Sequence, residues 1–317
     1  MKAVFLDYAT MGPGLDLTPL ARLFEEFDVH EQTADDEVGD RIRDAEFIFT
    51  NKFRMVPAVL EHAGKLRLIG LTATGTDNVD LDEARKRGIA VCNIRAYCTE
   101  SVVEHVFGVM LMLAHSLGPY AAAVRAGEWQ RAQDFCMLSH PVPGLAGKTL
   151  GIVGYGELGR GVERLGRAFG MHTLISARPG SAEIPDGRIA FDEVLARADV
   201  VTLHCPLTEE TRGLMDAGEF SRMRASAFLI NTARGALVDS GALVAALTGG
   251  AIAGAAVDVL AKEPPVDGDP LLDYRGANLI VTPHIAWATD SARQNAIDEL
   301  AANVEAFLAG ERRNRVD

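Results

Sequence analysis

A hydrophobic run that breaks into three glycines constrains this chain more than any other feature. Residues 150–159 have the sequence LGIVGYGELG, and a helical pattern follows to about Phe169. In such a turn the first glycine, Gly154, permits a tight bend, and Gly156 lets a pyrophosphate approach the backbone. Gly159 lets the helix pack closely on the strand, and the free N–H groups of the helix point at the phosphates. Since the flanking strand and helix that the motif requires are both present, the stretch predicts a dinucleotide site.

Length and composition limit the remaining possibilities. The 317 residues suit two domains, and 48% hydrophobic with 24% charged residues is typical of a globular protein. A net charge of −13 argues against a nucleic-acid partner. We find no export signal and no apolar run long enough to span a bilayer, so we expect a cytoplasmic protein without a membrane partner. The four cysteines have no ligand-like spacing, and we expect no metal site.

Short apolar runs alternate with helical patterns along the rest of the chain. Strands are predicted at residues 2–6, 47–49, 66–71, 89–92, 173–176, 199–205, 227–231, 254–259 and 278–282. Helices are predicted at residues 17–27, 56–62, 81–86, 191–197, 217–223, 240–247 and 289–309. This alternation predicts an α/β fold with parallel sheets, in which the first third of the chain forms a second domain.

A long helical pattern covers residues 100–117, with Thr99 in position to cap it. The pattern then loosens through Gly118 and Pro119 as far as Gly144. An irregular stretch of this length in a compact protein needs a reason, and contact with a partner is a common one.

Three polar residues each follow a predicted strand, at the end where ligands bind in α/β sheets. They are Arg234, Glu263 and His284. Together they would suit carbonyl chemistry, because Arg binds a carboxylate, His exchanges a proton at neutral pH and Glu orients the His. The alternative is a surface ion pair and an unrelated histidine, and spacing alone does not bring the three together. The polar turn at residues 72–78 is likewise either a substrate loop or an ordinary connection.

Four motifs, in this order, resemble the D-isomer-specific 2-hydroxyacid dehydrogenase family. They are GYGELG at 154–159, NTARG at 231–235, DVL with EP at 258–260 and 263–264, and PHIA at 283–286. Within the family, residues 96–105 and 169–171 look most like the glycerate dehydrogenases, also called hydroxypyruvate reductases.

The resemblance implies two Rossmann-like or flavodoxin-like parallel-sheet domains with a cleft between them. Residues 1–99 with 287–317 would form a discontinuous substrate-binding domain, and residues 100–286 the dinucleotide-binding domain. A homodimer would form through the helix and arm at residues 100–145.

The resemblance also implies roles for individual residues. Arg234 would bind the substrate's carboxylate and carbonyl oxygen, His284 would be the acid/base, and Glu263 would pair with His284. The backbone of Thr74 and Gly75 would anchor the carboxylate, and Asp258 would lie near the nicotinamide carboxamide. The full set of implied cofactor contacts is Gly154, Tyr155, Gly156, Glu157, Leu158, Gly159, Ala177, Arg178, Cys205, Pro206, Thr211, Thr232, Ala233, Asp258 and Ala286.

The expected reaction is hydride transfer between NAD(P)H and a small 2-oxo acid, with hydroxypyruvate or glyoxylate reduced to D-glycerate or glycolate. One alternative is another enzyme of the family, such as a phosphoglycerate or formate dehydrogenase. A second is a corepressor-like protein that senses dinucleotide without turnover.

The end of the second nucleotide-binding strand bears on cofactor choice. An NAD-selecting protein usually carries Asp or Glu about 20 residues past the glycines, whereas this chain has Ala177 followed by Arg178. An acid would repel a 2′-phosphate and an arginine could bind one, so we favour NADP(H). The alternative is that Arg178 stacks on adenine or points to solvent, with NAD(H) still used.

Overall fold

The chain folds into two compact units, as described by a computed structural model that covers residues 1–181 and 183–317. One unit comprises Met1–Cys98 with Ala288–Asp317, and the other comprises Thr99–Trp287. Each contains one sheet in which neighbouring strands run parallel. The predicted α/β class with two parallel-sheet domains is therefore confirmed.

The first unit has a five-stranded sheet in the order β2-β1-β3-β4-β5. Its strands are β1 (Lys2–Phe5), β2 (Glu26–Val29), β3 (Phe47–Thr50), β4 (Leu68–Leu71) and β5 (Ala90–Cys92). Its helices are α1 (Thr18–Ala21), α2 (Val38–Ile42), α3 (Pro57–Leu60), α4 (Leu81–Lys86) and α12 (Asp290–Leu308). Strands β3, β4 and β5 are buried along their whole length, as expected inside a parallel sheet.

The helix predicted over residues 17–27 is wrong in its second half. Helix α1 ends at Ala21, and the edge strand β2 begins at Glu26. The apolar side chains that suggested a helix pack on the sheet instead, with the rings of Phe24 and Phe47 5.0 Å apart. Tertiary packing has overridden the local pattern.

The C-terminal residues close the other edge of this sheet. Val316 N donates to Val91 O at 2.9 Å, and Val91 N donates to Asp317 Oδ1 at 2.9 Å. The Asp317 carboxylate also pairs with Arg315. Because an exposed strand edge invites pairing with other chains, these contacts cover β5 as well as anchoring the tail.

The second unit has a six-stranded sheet in the order β11-β10-β9-β8-β6-β7. Its strands are β6 (Thr149–Val153), β7 (His172–Ile175), β8 (Val200–Leu203), β9 (Phe228–Asn231), β10 (Gly254–Val257) and β11 (Leu279–Val281). Its helices are α5 (Thr99–Ala114), α6 (Leu117–Arg125), α7 (Glu157–Ala168), α8 (Phe191–Arg197), α9 (Ala217–Arg222), α10 (Ser240–Gly249) and α11 (Pro270–Asp273).

The region after residue 99 differs from the prediction in two ways. Thr99 is the first residue of α5 rather than its cap, and its hydroxyl donates to Glu157. Helix α5 ends at Ala114, and after Ser116, which has a φ of 48°, the chain forms α6 where an irregular stretch was predicted. Pro119 lies in the first turn of α6, where proline costs no helix hydrogen bond.

In the part of the chain that the structure describes, no single helix has both the length and the hydropathy to cross a membrane. The bent pair α5 and α6, 60° apart, passes that test together by length and composition only.

The order of strands in the second unit reverses between β6 and β8. The connection after β6 leads to β7 on one side, and the connection after β8 leads to β9 on the other side. Ligands bind in open α/β sheets at such a switch point. Strands β9, β10 and β11 are neighbours, so the loops after them emerge side by side at the same edge.

Candidate active site

The glycine turn joins β6 to α7 at this switch point. Gly154 has a φ of 94°, and a Cβ there would overlap the backbone of His204 and Cys205 at the end of β8. A Cβ at Gly159 would overlap the Gly154 carbonyl oxygen. Gly156 is the N-cap of α7, and a Cβ there would meet no atom within 4 Å. Gly156 therefore leaves open space beside the first turn of the helix.

Two buried polar atoms at the same edge of the sheet have no hydrogen-bond partner among the described residues. They are His204 Nδ1, just after β8, and Thr232 Oγ1, just after β9. Burial lowers the pKa of His204 to about 4, so the ring is neutral at physiological pH. Because buried polar atoms normally have partners, the orphaned pair and the open helix terminus fit a dinucleotide lying along this edge.

The remaining predicted cofactor residues lie on loops around the same edge. Cys205 and Pro206 follow β8, and burial raises the pKa of Cys205. The Thr211 hydroxyl donates to Pro206 O at 2.8 Å and accepts from Thr208 N at 2.7 Å, so it shapes the loop. Glu157 and Leu158 open α7.

Ala177 and Arg178 follow the edge strand β7. Ala177 is buried and its N–H donates to Ile189 O at 2.8 Å, whereas Arg178 is exposed. In the segment after β9, Ala233 N donates to Asn231 Oδ1 at 3.0 Å, and Asn231 Nδ2 donates to Arg234 O at 2.9 Å.

Arg234 lies at the end of this braced turn. Its Nη1 donates to Ala233 O at 2.8 Å. The next residue, Gly235, packs so closely on the loop after β10 that a Cβ would overlap the backbone of Leu260 and Ala261. This close approach brings the arginine loop against the loop that carries Glu263.

Glu263 and His284 form a direct pair. Glu263 Oε2 lies 2.6 Å from His284 Nδ1, and Glu263 Oε1 accepts from Leu260 N at 2.8 Å. Their side chains are 33% and 30% exposed, so the pair is open to a ligand. A carboxylate at Nδ1 fixes the ring tautomer and leaves Nε2 as the atom that exchanges a proton. The pair can therefore exchange a proton with a ligand, and Arg234 lies on the loop that packs against the loop of Glu263.

Asp258 holds the histidine loop in place, which the sequence did not indicate. Its buried carboxylate accepts from Thr282 Oγ1 at 2.5 Å, Ile285 N at 2.9 Å and Ala286 N at 2.8 Å. His105 Nε2 lies 3.2 Å from the same threonine oxygen. These contacts surround His284 on both sides, where its φ of 57° is unusual for a residue with a side chain.

The predicted substrate anchors Thr74 and Gly75 belong to the other unit, in the loop after β4. Thr74 Oγ1 donates to Ile94 O at 3.0 Å, and Thr74 O accepts from Asn93 Nδ2 at 2.7 Å. These bonds fix the backbone of the loop, and its role in substrate binding stays a prediction.

Comparisons with known proteins identify the family. Residues 107–286 match the family described as D-isomer specific 2-hydroxyacid dehydrogenase, NAD binding domain. The chain is 43% identical to the glycerate dehydrogenase of Methylorubrum extorquens, over 100% of this chain and 99% of that protein. It is 36% identical to the hydroxypyruvate reductase of Blautia hydrogenotrophica, over 98% of both.

Among solved structures, the D-lactate dehydrogenase of Aquifex aeolicus complexed with NAD and lactic acid has a TM-score of 0.80 to this chain. The two are 29% identical, and the match covers 98% of this chain and 96% of that one.

The chain therefore belongs to the D-isomer-specific 2-hydroxyacid dehydrogenase family, as its four motifs predict. It is an oxidoreductase that acts on the CH–OH group of its donor with a nicotinamide dinucleotide. The finer resemblance to glycerate dehydrogenases is also confirmed by its relatives.

Proposed function

We propose that this enzyme reduces hydroxypyruvate and glyoxylate to D-glycerate and glycolate. The observation that carries the proposal is the Glu263–His284 pair, 2.6 Å apart, beside a braced Arg234 at one sheet edge. The relatives named glycerate dehydrogenase and hydroxypyruvate reductase, which match over nearly their full length, support this choice of substrate class.

In the proposed mechanism, Arg234 binds the carboxylate and carbonyl oxygen of the 2-oxo acid through its guanidinium fork. His284 donates the proton on Nε2 to the developing alkoxide, while Glu263 holds Nδ1 and the ring orientation. A reduced nicotinamide dinucleotide, when bound at the turn of residues 154–159, would supply the hydride for the carbonyl carbon. Proton transfer and charge stabilisation of this kind each contribute about 100-fold or more to the rate.

The two units would bind different ligands. The Thr99–Trp287 unit would bind the dinucleotide through the turn at residues 154–159, and the other unit would bind the substrate carboxylate through the backbone of Thr74 and Gly75. The proposed cofactor preference is NADP(H), because Ala177 stands where an NAD-selecting acid is expected.

A homodimer through residues 100–145 is part of the proposal. Large apolar side chains of this segment are exposed in the single chain, including Phe135 at 90% and Leu138 at 84%. The same segment lines part of a cavity of about 850 Å³ at the amino ends of β8, β9 and β11, whose lining includes Met112, Leu145 and Phe228. Contiguous exposed apolar surface marks sites of protein contact. Light scattering should give twice the chain mass, and a monomeric protein would contradict the dimer.

The test of the reaction is steady-state oxidation of NADPH and NADH with hydroxypyruvate, glyoxylate and pyruvate. We expect the largest kcat/KM with hydroxypyruvate and NADPH. Arg234→Ala and His284→Ala should each lose nearly all turnover yet keep cofactor affinity, whereas Arg275→Ala, an exposed arginine of the same unit, should behave like the wild type.

Other outcomes separate the alternatives. Wild-type rates in either site variant would remove that residue from the mechanism. Preference for NADH would keep the reaction and discard the cofactor preference. Tight dinucleotide binding without turnover of any 2-oxo acid would favour the corepressor-like sensor.

A further inference from the structure

Arg188 occupies a corner formed by the glycine turn and the end of β7. Its guanidinium carbon lies 5.5 Å from the centroid of the Tyr155 ring, over the ring face. Its Nη1 donates to Ser176 O at 3.1 Å. A stacked arginine that also bonds a carbonyl is held in one orientation.

The chain brings Arg188 to this corner through a short parallel bridge. Ser176 pairs with Ile189, and Ala177 N and Ile189 N donate to Ile189 O and Ile175 O at 2.8 and 3.0 Å. The residue before Ile189 is therefore held beside the end of β7, although it is 12 residues from Ser176 in sequence.

This corner corresponds to the place where Rossmann-type domains bind the adenosine ribose of a dinucleotide. In Rossmann-type domains the pyrophosphate lies on the glycine turn, and the residue after the second strand contacts the ribose 2′ position. Tyr155 lies between the first two glycines of the turn, and Ser176 and Ala177 end the second strand. Arg188 touches both segments.

We propose that Arg188 binds the 2′-phosphate of NADP(H) and thereby sets the cofactor preference of the enzyme. The inference rests on the proposed function, since it names the residue behind the proposed NADP(H) preference. Arg188 Nη1 is bound to a carbonyl, and no described residue forms an ion pair with the guanidinium or a hydrogen bond to its Nε or Nη2. Those two nitrogens give a phosphate the paired donors that arginine offers best.

The charges around the corner are compatible with a phosphate. Glu163, which accepts the Tyr155 hydroxyl, is paired with Arg167 at 2.6 Å, so its charge is compensated. Ala177 brings no carboxylate to the end of the strand.

Arg178, the residue that the sequence suggested, is less well placed. It is exposed, and no contact in the described chain holds its guanidinium against the turn. A hydrogen bond from Thr208 and, more weakly, the positive charge of Arg178 lower the pKa of Glu210, so Arg178 lies near that carboxylate. Arg178→Gln is thus the direct comparison for Arg188→Gln, and Arg275→Gln, at an exposed arginine of the same unit, is the control.

The experiment measures binding by isothermal titration calorimetry, with two probes that lack nicotinamide. Adenosine 2′,5′-bisphosphate carries the 2′-phosphate and 5′-AMP does not, so their ratio of Kd reports the subsite without turnover. The wild type should prefer the bisphosphate. Arg188→Gln should weaken the bisphosphate and NADPH at least tenfold, about 1.4 kcal/mol, and change 5′-AMP and NADH less than threefold.

Arg275→Gln should change all four affinities less than threefold, and Arg178→Gln should weaken the bisphosphate less than Arg188→Gln does. Unchanged 5′-AMP and NADH binding in Arg188→Gln also shows that the variant is folded. Equal weakening of all four ligands, a larger loss in Arg178→Gln than in Arg188→Gln, or a wild type that binds both probes equally would each overturn the proposal.

Failure of the inference and failure of the proposed function look different. Turnover of hydroxypyruvate with NADH, without discrimination between the probes, would remove the Arg188 subsite and keep the reductase. Discrimination that depends on Arg188, without turnover of any 2-oxo acid, would keep the subsite and remove the reductase.

Discussion

The close packing of Gly235 on the loop after β10 predicts that Gly235→Ala disrupts the candidate site. A Cβ built on Gly235 would lie 1.9 Å from the carbonyl carbon of Leu260. Carbon atoms pack best about 3.5–4.0 Å apart, so the loops bearing Arg234 and Glu263 would have to separate by roughly 1.5–2 Å. Because the opposing atoms are backbone, no side-chain rotation relieves the overlap.

The magnitudes follow from this displacement. Overpacking of this kind costs about 1–3 kcal/mol of stability, which lowers Tm by roughly 2–4 °C per kcal/mol for a unit of this size. A misplacement of about 1 Å can cost about 100-fold in rate. We therefore expect Gly235→Ala to lower kcat at least about 100-fold while the protein remains folded at 25 °C.

The assay pairs steady-state reduction of hydroxypyruvate with thermal unfolding followed by circular dichroism. Gly249→Ala is the matched control, because Gly249 ends α10 in helical conformation and a Cβ there meets nothing within 4 Å. That variant should gain about 0.5–1 kcal/mol and keep full activity. A Gly235→Ala enzyme with kcat within about twofold and Tm within about a degree of wild type would refute the steric argument, since a barrier of even 1.36 kcal/mol changes a rate tenfold.

Three further predictions concern single side chains. Glu263→Gln keeps the shape but removes the charged partner of His284, so kcat should fall about 100-fold with NADH affinity unchanged; an unchanged kcat would contradict the pairing role. Burial alone would raise the pKa of Asp317, but hydrogen bonds from Arg315 and Val91 outweigh it and lower the pKa to about 2. The carboxylate therefore contributes about 2 kcal/mol to the free energy of unfolding above pH 4, and this contribution is lost as pH falls through 2. In urea unfolding, Asp317→Asn should lose more stability relative to the wild type at pH 7 than at pH 3. Burial lowers the pKa of His204 to about 4, so stability should fall by about 3 kcal/mol as pH drops from 6.5 to 4, and His204→Gln should lose that dependence.

The sequence predicts the elements that carry a strong local signal. Helix α4 begins and ends where its pattern predicts, because Asp80 accepts from Glu83 N and basic side chains occupy its last turn. Strand β2 gives no such signal. Its residues are exposed apart from a half-buried Phe27, so there is no buried run to detect, and only pairing with β1 defines it.

The candidate site divides in the same way. Arg234, Glu263 and His284 can be found from sequence because each follows an apolar strand. The sequence does not predict that these residues lie close together, because that depends on β9, β10 and β11 being neighbours in the sheet. Arg188 was missed for a related reason, since only the bridge between Ser176 and Ile189 brings it beside the glycine turn.

Asp258 shows why the supporting contacts of a site are the hardest part to predict. His284 has a positive φ, and such a conformation costs about 1–3 kcal/mol in a residue with a side chain. The carboxylate of Asp258 accepts the N–H groups of the next two residues, and its own carbonyl oxygen accepts His284 N at 2.8 Å. These bonds offset the strain at His284 and also satisfy the buried carboxylate of Asp258. The loop conformation and the buried carboxylate therefore depend on each other. The sequence shows only that an aspartate follows a strand, because the N–H groups that its carboxylate accepts are known only from the folded loop. Those hydrogen bonds hold the histidine ring where Glu263 can reach it.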